Sequence, residues 1–232
     1  TLGGLDLASI HLAEQRQRAL DHSPELAHAR FLADAWCAAF VVPKSDPELG
    51  ITDGVLRRWS MGPSPVEDDP RRRAVEAATT DYRFFHWHLE FPLVFTVNRG
   101  VDGPGWFGGF SCVVGNPPWE HVELKEQEYF AARDPEIAAA AGAERKRQIS
   151  SLLRSDAALG QDYRMAKRRI DGERRFLGAS GRFPLCGRGR INTYAVFAEH
   201  NRSILGPIGR CGVILPTGIA TDATTQHFFK EL

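Results

Sequence analysis

No apolar run in this 232-residue sequence approaches the roughly 20 residues that span a bilayer, so nothing in it reads as a transmembrane helix. Cysteine is scarce: Cys37, Cys112, Cys186 and Cys211 lie far apart and form no C-x-x-C pair. That spacing argues against a zinc ribbon and a disulfide framework, and fits a reducing cytoplasm. Net charge is also lacking, because 29 basic residues face 29 acidic ones. Taken whole, the charge therefore says nothing for a polyanionic partner. The opening "TLGGLDLASIHLAEQ" has neither the basic start nor the apolar core of a signal peptide. It has no initiator Met, and the chain stops in "QHFFKEL", inside an apparent helix, so both ends read as cuts in a longer polypeptide.

What is present is ordinary globular composition, 43% hydrophobic and 25% charged, at a length that buries a real core. The first 42 residues read as two helices. The second begins at "SPELAHARFLADAWCAAFVV", with Ser23 as N-cap, Pro24 at the first position and apolar residues at helical spacing. Residues 43–69 are rich in Pro, Gly, Asp and Ser and read as irregular. A helix restarts at "DDPRRRAVEAATTDYRFFHWHLEF", capped by Asp69, and "TVNRGVDGPGWFGG" reads as loop. "FSCVV" is a short apolar strand. From Glu120 to Leu177 the pattern is mostly helical, with a cap at Asp134, and "GASGRFPLCGRGR" is a basic loop. "INTYAVFAEHNRSIL" is an amphipathic helix, "GPIGR" a turn, "CGVILP" a second apolar strand and the C-terminus helical again. Strand, helix, strand, with both strands apolar on both faces, argues for an α/β fold with a parallel sheet covered by helices.

Several stretches resemble chemical motifs. "GPGWFG" matches G-x-G-x-x-G at Gly103, Gly105 and Gly108, but these glycines lead into a strand instead of following one, so they read as loop. "HWHLE" places His86, His88 and Glu90 at alternate positions, a possible metal face on a strand. It reads better as a helix end, where alternate residues diverge. "GASGR" carries Arg182 where a nucleophile elbow needs glycine. From Glu144 to Arg190 there are 13 Lys or Arg against 5 Asp or Glu, which reads either as a phosphate-contacting segment or as a solvated face.

"NPPW", residues 116–119, follows the strand "FSCVV", where open parallel sheets place their ligands. The exocyclic amine of adenine is a poor nucleophile because its lone pair is delocalised into the ring. Acceptors set around it localise that pair. The Asn116 side-chain oxygen is one such acceptor and the Pro117 carbonyl a second. Proline fixes φ and removes competing N–H donors. Trp119 offers a flat face to an extruded base, a stack worth about 1–3 kcal/mol against the few kcal/mol that flipping costs. The tetrapeptide taken alone also reads as a Pro-rich turn with Trp119 capping the core.

"HLEFPLVF", "GFSCVVGNPPWEHVELKEQEYFAARDPEIA" and "INTYAVFAEHNRSILGPIGRCGVILPTGIATDATT" together resemble the large adenine-specific DNA methyltransferases of bacterial restriction-modification and phage-defence systems. The resemblance covers about residues 84–232, with "DAWCAAFVVP" as weaker support upstream. It implies part of a Rossmann-like methyltransferase sheet with helical insertions: a mainly helical region over 1–83, then the central part of the catalytic domain over 84–232. It implies Asn116, Pro117, Pro118 and Trp119 as the catalytic motif, S-adenosylmethionine as cofactor and double-stranded DNA with a flipped adenine as substrate. Nuclease and target-recognition regions would share the parent polypeptide. No glycine-rich donor motif precedes "NPPW", so the donor site is expected outside this chain. The alternatives are a non-catalytic nucleic-acid-binding module and a methyltransferase acting on another planar amide.

Overall fold

The computed structural model describes residues 11, 15, 23–44, 46–97, 105–155 and 157–232. The first of the two expected N-terminal helices lies outside these residues, except for His11 and Gln15, both helical. The chain divides into two compact units, Thr1–Phe107 and Gly108–Leu232. The change of character read from the sequence at 83/84 falls inside the first unit, because an aromatic group binds residues 84–107 together. Trp87 packs on Phe91 and Phe95, and Phe95 on Trp106, with ring centroids 5.5–6.5 Å apart.

In the first unit, helix Pro24–Val41 starts where expected, with Ser23 Oγ accepting from Leu26 N at 3.2 Å. Its Ala35 and Ala38 pack with Val42, Ile51, Trp59, Val75 and Ala78. The irregular reading of 43–69 is corrected by a 3-10 turn, Pro47–Leu49, and a nine-residue helix, Asp53–Met61. Thr52 caps that helix, and Trp59 is buried against Phe31. Flanking Pro and Gly hid this helix, while burial of one indole stabilises it. Helix Pro70–Tyr82 is capped by Asp69, as expected, but ends at Arg83, whose φ of 52° is left-handed. The single helix expected up to Phe91 is therefore broken, and a separate turn, Trp87–Glu90, follows. The loop expected over 96–109 is also corrected. Strands β1 (Phe95–Val97) and β2 (Trp106–Gly108) pair with each other, which buries Phe95 to 2% exposure.

The second unit holds strands β3 (Phe110–Gly115) and β4 (Leu205–Val213), which pair in parallel with helices between them in sequence. β4 begins six residues before the expected "CGVILP", so "GPIGR" is not a separate turn. Phe110 pairs with Leu205 and Cys112 with Arg210, so this stretch forms an irregularity within the strand. Gly109, at φ 133°, lets the chain pass there, since a Cβ would collide with the backbone of Leu205 and Gly206. Neither strand is buried on both faces as expected: Val114 is 76% exposed and Ile208 87%. The described residues provide only these two strands for this sheet and helices for part of its cover.

Helix Thr193–Ile204, capped by Asn192, buries Tyr194, Ala195, Val196 and Ala198 against Cys186, Ile191 and Phe228. A second core joins Phe130, Ile137, Ala138, Ile149 and Tyr163. It brings together helices Glu126–Ala131, Pro135–Ala139, Gly142–Arg154 and Ala158–Ala179. Asp134 caps the second of these at Ile137 N, as its sequence position predicts. The expected C-terminal helix is two short ones, Gly218–Thr221 and Gln226–Lys230. Among the described residues no helix is long and apolar enough to cross a membrane.

Candidate active site

The "NPPW" turn leaves the C-terminal end of β3. Ile214, at the end of β4, donates its N–H to Gly115 O at 3.2 Å, so both strands finish at the same edge of their sheet. Asn116 and Pro118 are exposed, Pro117 is buried and Trp119 is 52% exposed. The indole is therefore not a cap on the core. Among the described residues nothing hydrogen-bonds the Asn116 side chain or the Pro117 carbonyl.

The far side of the turn is fixed by the start of helix Thr193–Ile204. Thr193 N donates to Glu120 O at 2.8 Å, and Glu120 N donates to the Thr193 hydroxyl at 3.0 Å. That hydroxyl has one proton. It lies 2.7 Å from Pro118 O and 3.1 Å from Glu120 O, and the latter already accepts from Thr193 N. The proton thus goes to Pro118 O. Val122 N donates to Ile191 O at 3.0 Å and His121 bridges Asn192, so the turn is stitched to a segment over 70 residues away. Pro118 and Glu120 use their backbone groups to hold the turn, while the exposed Asn116 side chain and the carbonyl of the buried Pro117 are left without protein partners among the described residues.

Thr193 and Glu199 were not candidates in the sequence. Glu199, 6% exposed, accepts from Leu185 N at 2.9 Å and Cys186 N at 2.7 Å. The carboxylate thereby shapes the "RFPLCG" loop that leads into Asn192 and Thr193. The only sequence sign of it is an acid on the apolar face of "INTYAVFAEH". Burial, and then Glu199, push the Cys186 thiol up to about 12, so it is no nucleophile at neutral pH.

The other candidates are used by the fold. His86 Nε2 donates to Asp34 Oδ1 at 2.6 Å in a buried pair, and Glu90 accepts from Arg30 at 2.8 Å. His88 stacks on Trp106. Of the G-x-G-x-x-G glycines, Gly103 lies outside the described residues, and Gly105 and Gly108 have positive φ at the start and end of β2. In the basic segment, Arg145 donates to the carbonyls of Ile137 and Ala138. Arg147 pairs with Glu144, Arg169 with Glu173 and Arg190 with Glu123. The segment is therefore not one uniform surface. No family model, no characterised protein and no solved structure matches this chain.

Proposed function

We propose that this chain is the central part of a site-specific DNA methyltransferase, with Asn116–Trp119 receiving the exocyclic amine of an adenine flipped out of duplex DNA. The observation that carries this reading is the division of labour in the turn. Asn116 is exposed beside an exposed Trp119, the buried Pro117 has no hydrogen-bond partner for its carbonyl among the described residues, and Thr193 holds Pro118 and Glu120. Two acceptors on a rigid backbone localise the amine lone pair and aim it, which is electrostatic preorganisation. A half-exposed indole can stack an extruded base. The parallel β3–β4 pair places the turn at the carboxyl ends of its strands, where α/β sheets take ligands. On this reading the sheet is part of a Rossmann-like methyltransferase sheet. S-adenosylmethionine, held by a region outside this chain, is the donor, and the enzyme works in the cytoplasm. Target-recognition and nuclease regions would belong to the same polypeptide.

No strong base is required. S-adenosylmethionine would supply the methyl group and leave as the thioether S-adenosylhomocysteine, while Asn116 and the Pro117 carbonyl would orient the amine and its proton would pass to water. Replacing Asn116 by Ala, in the polypeptide that also carries the donor site, should abolish methylation of duplex DNA while leaving duplex affinity within about twofold. Methylation retained within tenfold of wild type would overturn the assignment.

A further inference from the structure

Helix Ala158–Ala179 is 22 residues long and carries six Lys or Arg against three Asp or Glu. Its buried residues Gly160 and Tyr163 anchor it in the second unit, Gly160 against Leu152 of the preceding helix. At 3.6 residues per turn, Arg164, Lys167, Arg168, Arg174 and Arg175 fall within roughly 120° of the helix circumference, and all five are exposed, Arg164 also donating to the Leu153 carbonyl at 3.2 Å. Arg169 lies off this arc and is paired with Glu173. Asp171 is the only acid within it. Five of the 13 basic residues of the 144–190 segment are thus gathered in one stripe on a single helix.

We propose that this stripe is a docking surface for the phosphate backbone of duplex DNA. From Arg164 to Arg175 it runs roughly 16 Å at 1.5 Å per residue. One strand of a duplex sets a phosphate about every 3.4 Å of axis while winding round it, so a straight stripe of this length spans several phosphates and meets those on the facing side of the strand. Arginine fits phosphate with a planar fork, and four of the five are arginine. The chain as a whole is neutral, so the attraction is local. Duplex DNA as the partner rests on the function proposed above, but the surface involves no residue of the "NPPW" turn and needs no methyl donor to be measured.

The test is the salt dependence of binding of a fluorescein-labelled duplex to this chain, followed by anisotropy. Lys167→Gln, Arg168→Gln and Arg174→Gln are combined in one variant. The control combines Arg72→Gln, Arg147→Gln and Arg169→Gln, which removes the same charge from residues paired with Glu76, Glu144 and Glu173. Each lost phosphate contact lowers the log–log slope by about 0.9, so the stripe variant should fall by about 2.7. Over a fourfold rise in salt, wild type then loses about 40-fold more affinity than the variant. The control slope should stay within about 0.9 of wild type. Equal falls in both variants would mean diffuse charge and overturn the proposal, as would no fall in either. A fall seen with single-stranded RNA but not with duplex would overturn the choice of partner. A stripe effect with no methylation in the donor-bearing polypeptide removes only the enzymatic reading, and methylation without a stripe effect removes only the stripe.

Discussion

In residues 86–90 the polar side chains are bonded to their own unit: His86 to Asp34, Glu90 to Arg30. In residues 116–119 the backbone does the holding, through Pro118 O, and the one polar side chain, Asn116, is exposed without a protein partner among the described residues. Both stretches carry residue types that do chemistry. The first has spent them on pairing within the fold: His86 and Asp34 are buried, where an imidazole and a carboxylate are tolerated because each satisfies the other, and Glu90 is tied to Arg30 at the surface. The second has kept them accessible on a fixed frame. Availability of a functional group after folding separates a candidate site from a structural one, and residue type does not.

Exchanging the two kinds of damage should break this comparison if it is wrong. Asp34→Ala leaves His86 buried without its acceptor and should cost about 3 kcal/mol of stability. Asn116→Ala, at an exposed position, should stay within about 0.5 kcal/mol of wild type although methylation is lost. Urea denaturation reads both. An Asp34 variant as stable as wild type would show that the buried pair is dispensable. A strongly destabilised Asn116 variant would move that residue into the structural class.

How far the sequence disclosed this division depended on the range of each interaction. Ser23, Asp69 and Asp134 were legible as caps because each bonds a backbone N–H two or three residues away. The helix Thr193–Ile204 was legible from its periodicity. Helix Asp53–Met61 was not, since its stability rests on Trp59 meeting Phe31 and not on local propensity. Thr193 and Glu199 were invisible for the same reason. Asn-Thr before an apolar run announces a helix start, but nothing local says that the hydroxyl reaches Pro118. β3 and the last part of β4 were legible as strands from their apolar content, whereas β1, β2 and the glycine-rich start of β4 were not. Their exposure was not, because burial depends on what else covers the sheet.

Acid should distinguish the scaffold behind the turn from the turn itself. Burial, and then the charge of Arg182, push His200 down to about 4 from an ordinary 6.5. The unfolded chain therefore takes up this proton first as pH falls. Above the unfolded value the histidine is neutral in both states and costs nothing. Between 6.5 and about 4 the folded state loses stability progressively, by about 2 kcal/mol at pH 5 for a fully expressed shift. His200→Gln should flatten the stability profile between pH 6.5 and 5 relative to wild type. Parallel profiles would mean that His200 is solvated enough to titrate normally.

The smallest expected effect probes the link between scaffold and turn. Thr193→Val keeps the shape of the side chain but removes the hydroxyl that donates to Pro118 O and accepts from Glu120 N. An exposed pair of such bonds should contribute about 1 kcal/mol to stability, a shift near the limit of a denaturation curve. Function should be more sensitive, because loosening Pro118 would let the neighbouring Pro117 carbonyl and Asn116 drift from the amine that we propose they orient. Positioning errors of about 1 Å cost on the order of 100-fold in rate. In the donor-bearing polypeptide, Thr193→Val should therefore lower kcat by tenfold or more with KM for DNA nearly unchanged. Thr193→Ser, which restores the hydroxyl, should recover most of the rate. If Val and Ser behave alike, the hydroxyl does not fix the turn, and its rigidity must come from the two prolines alone.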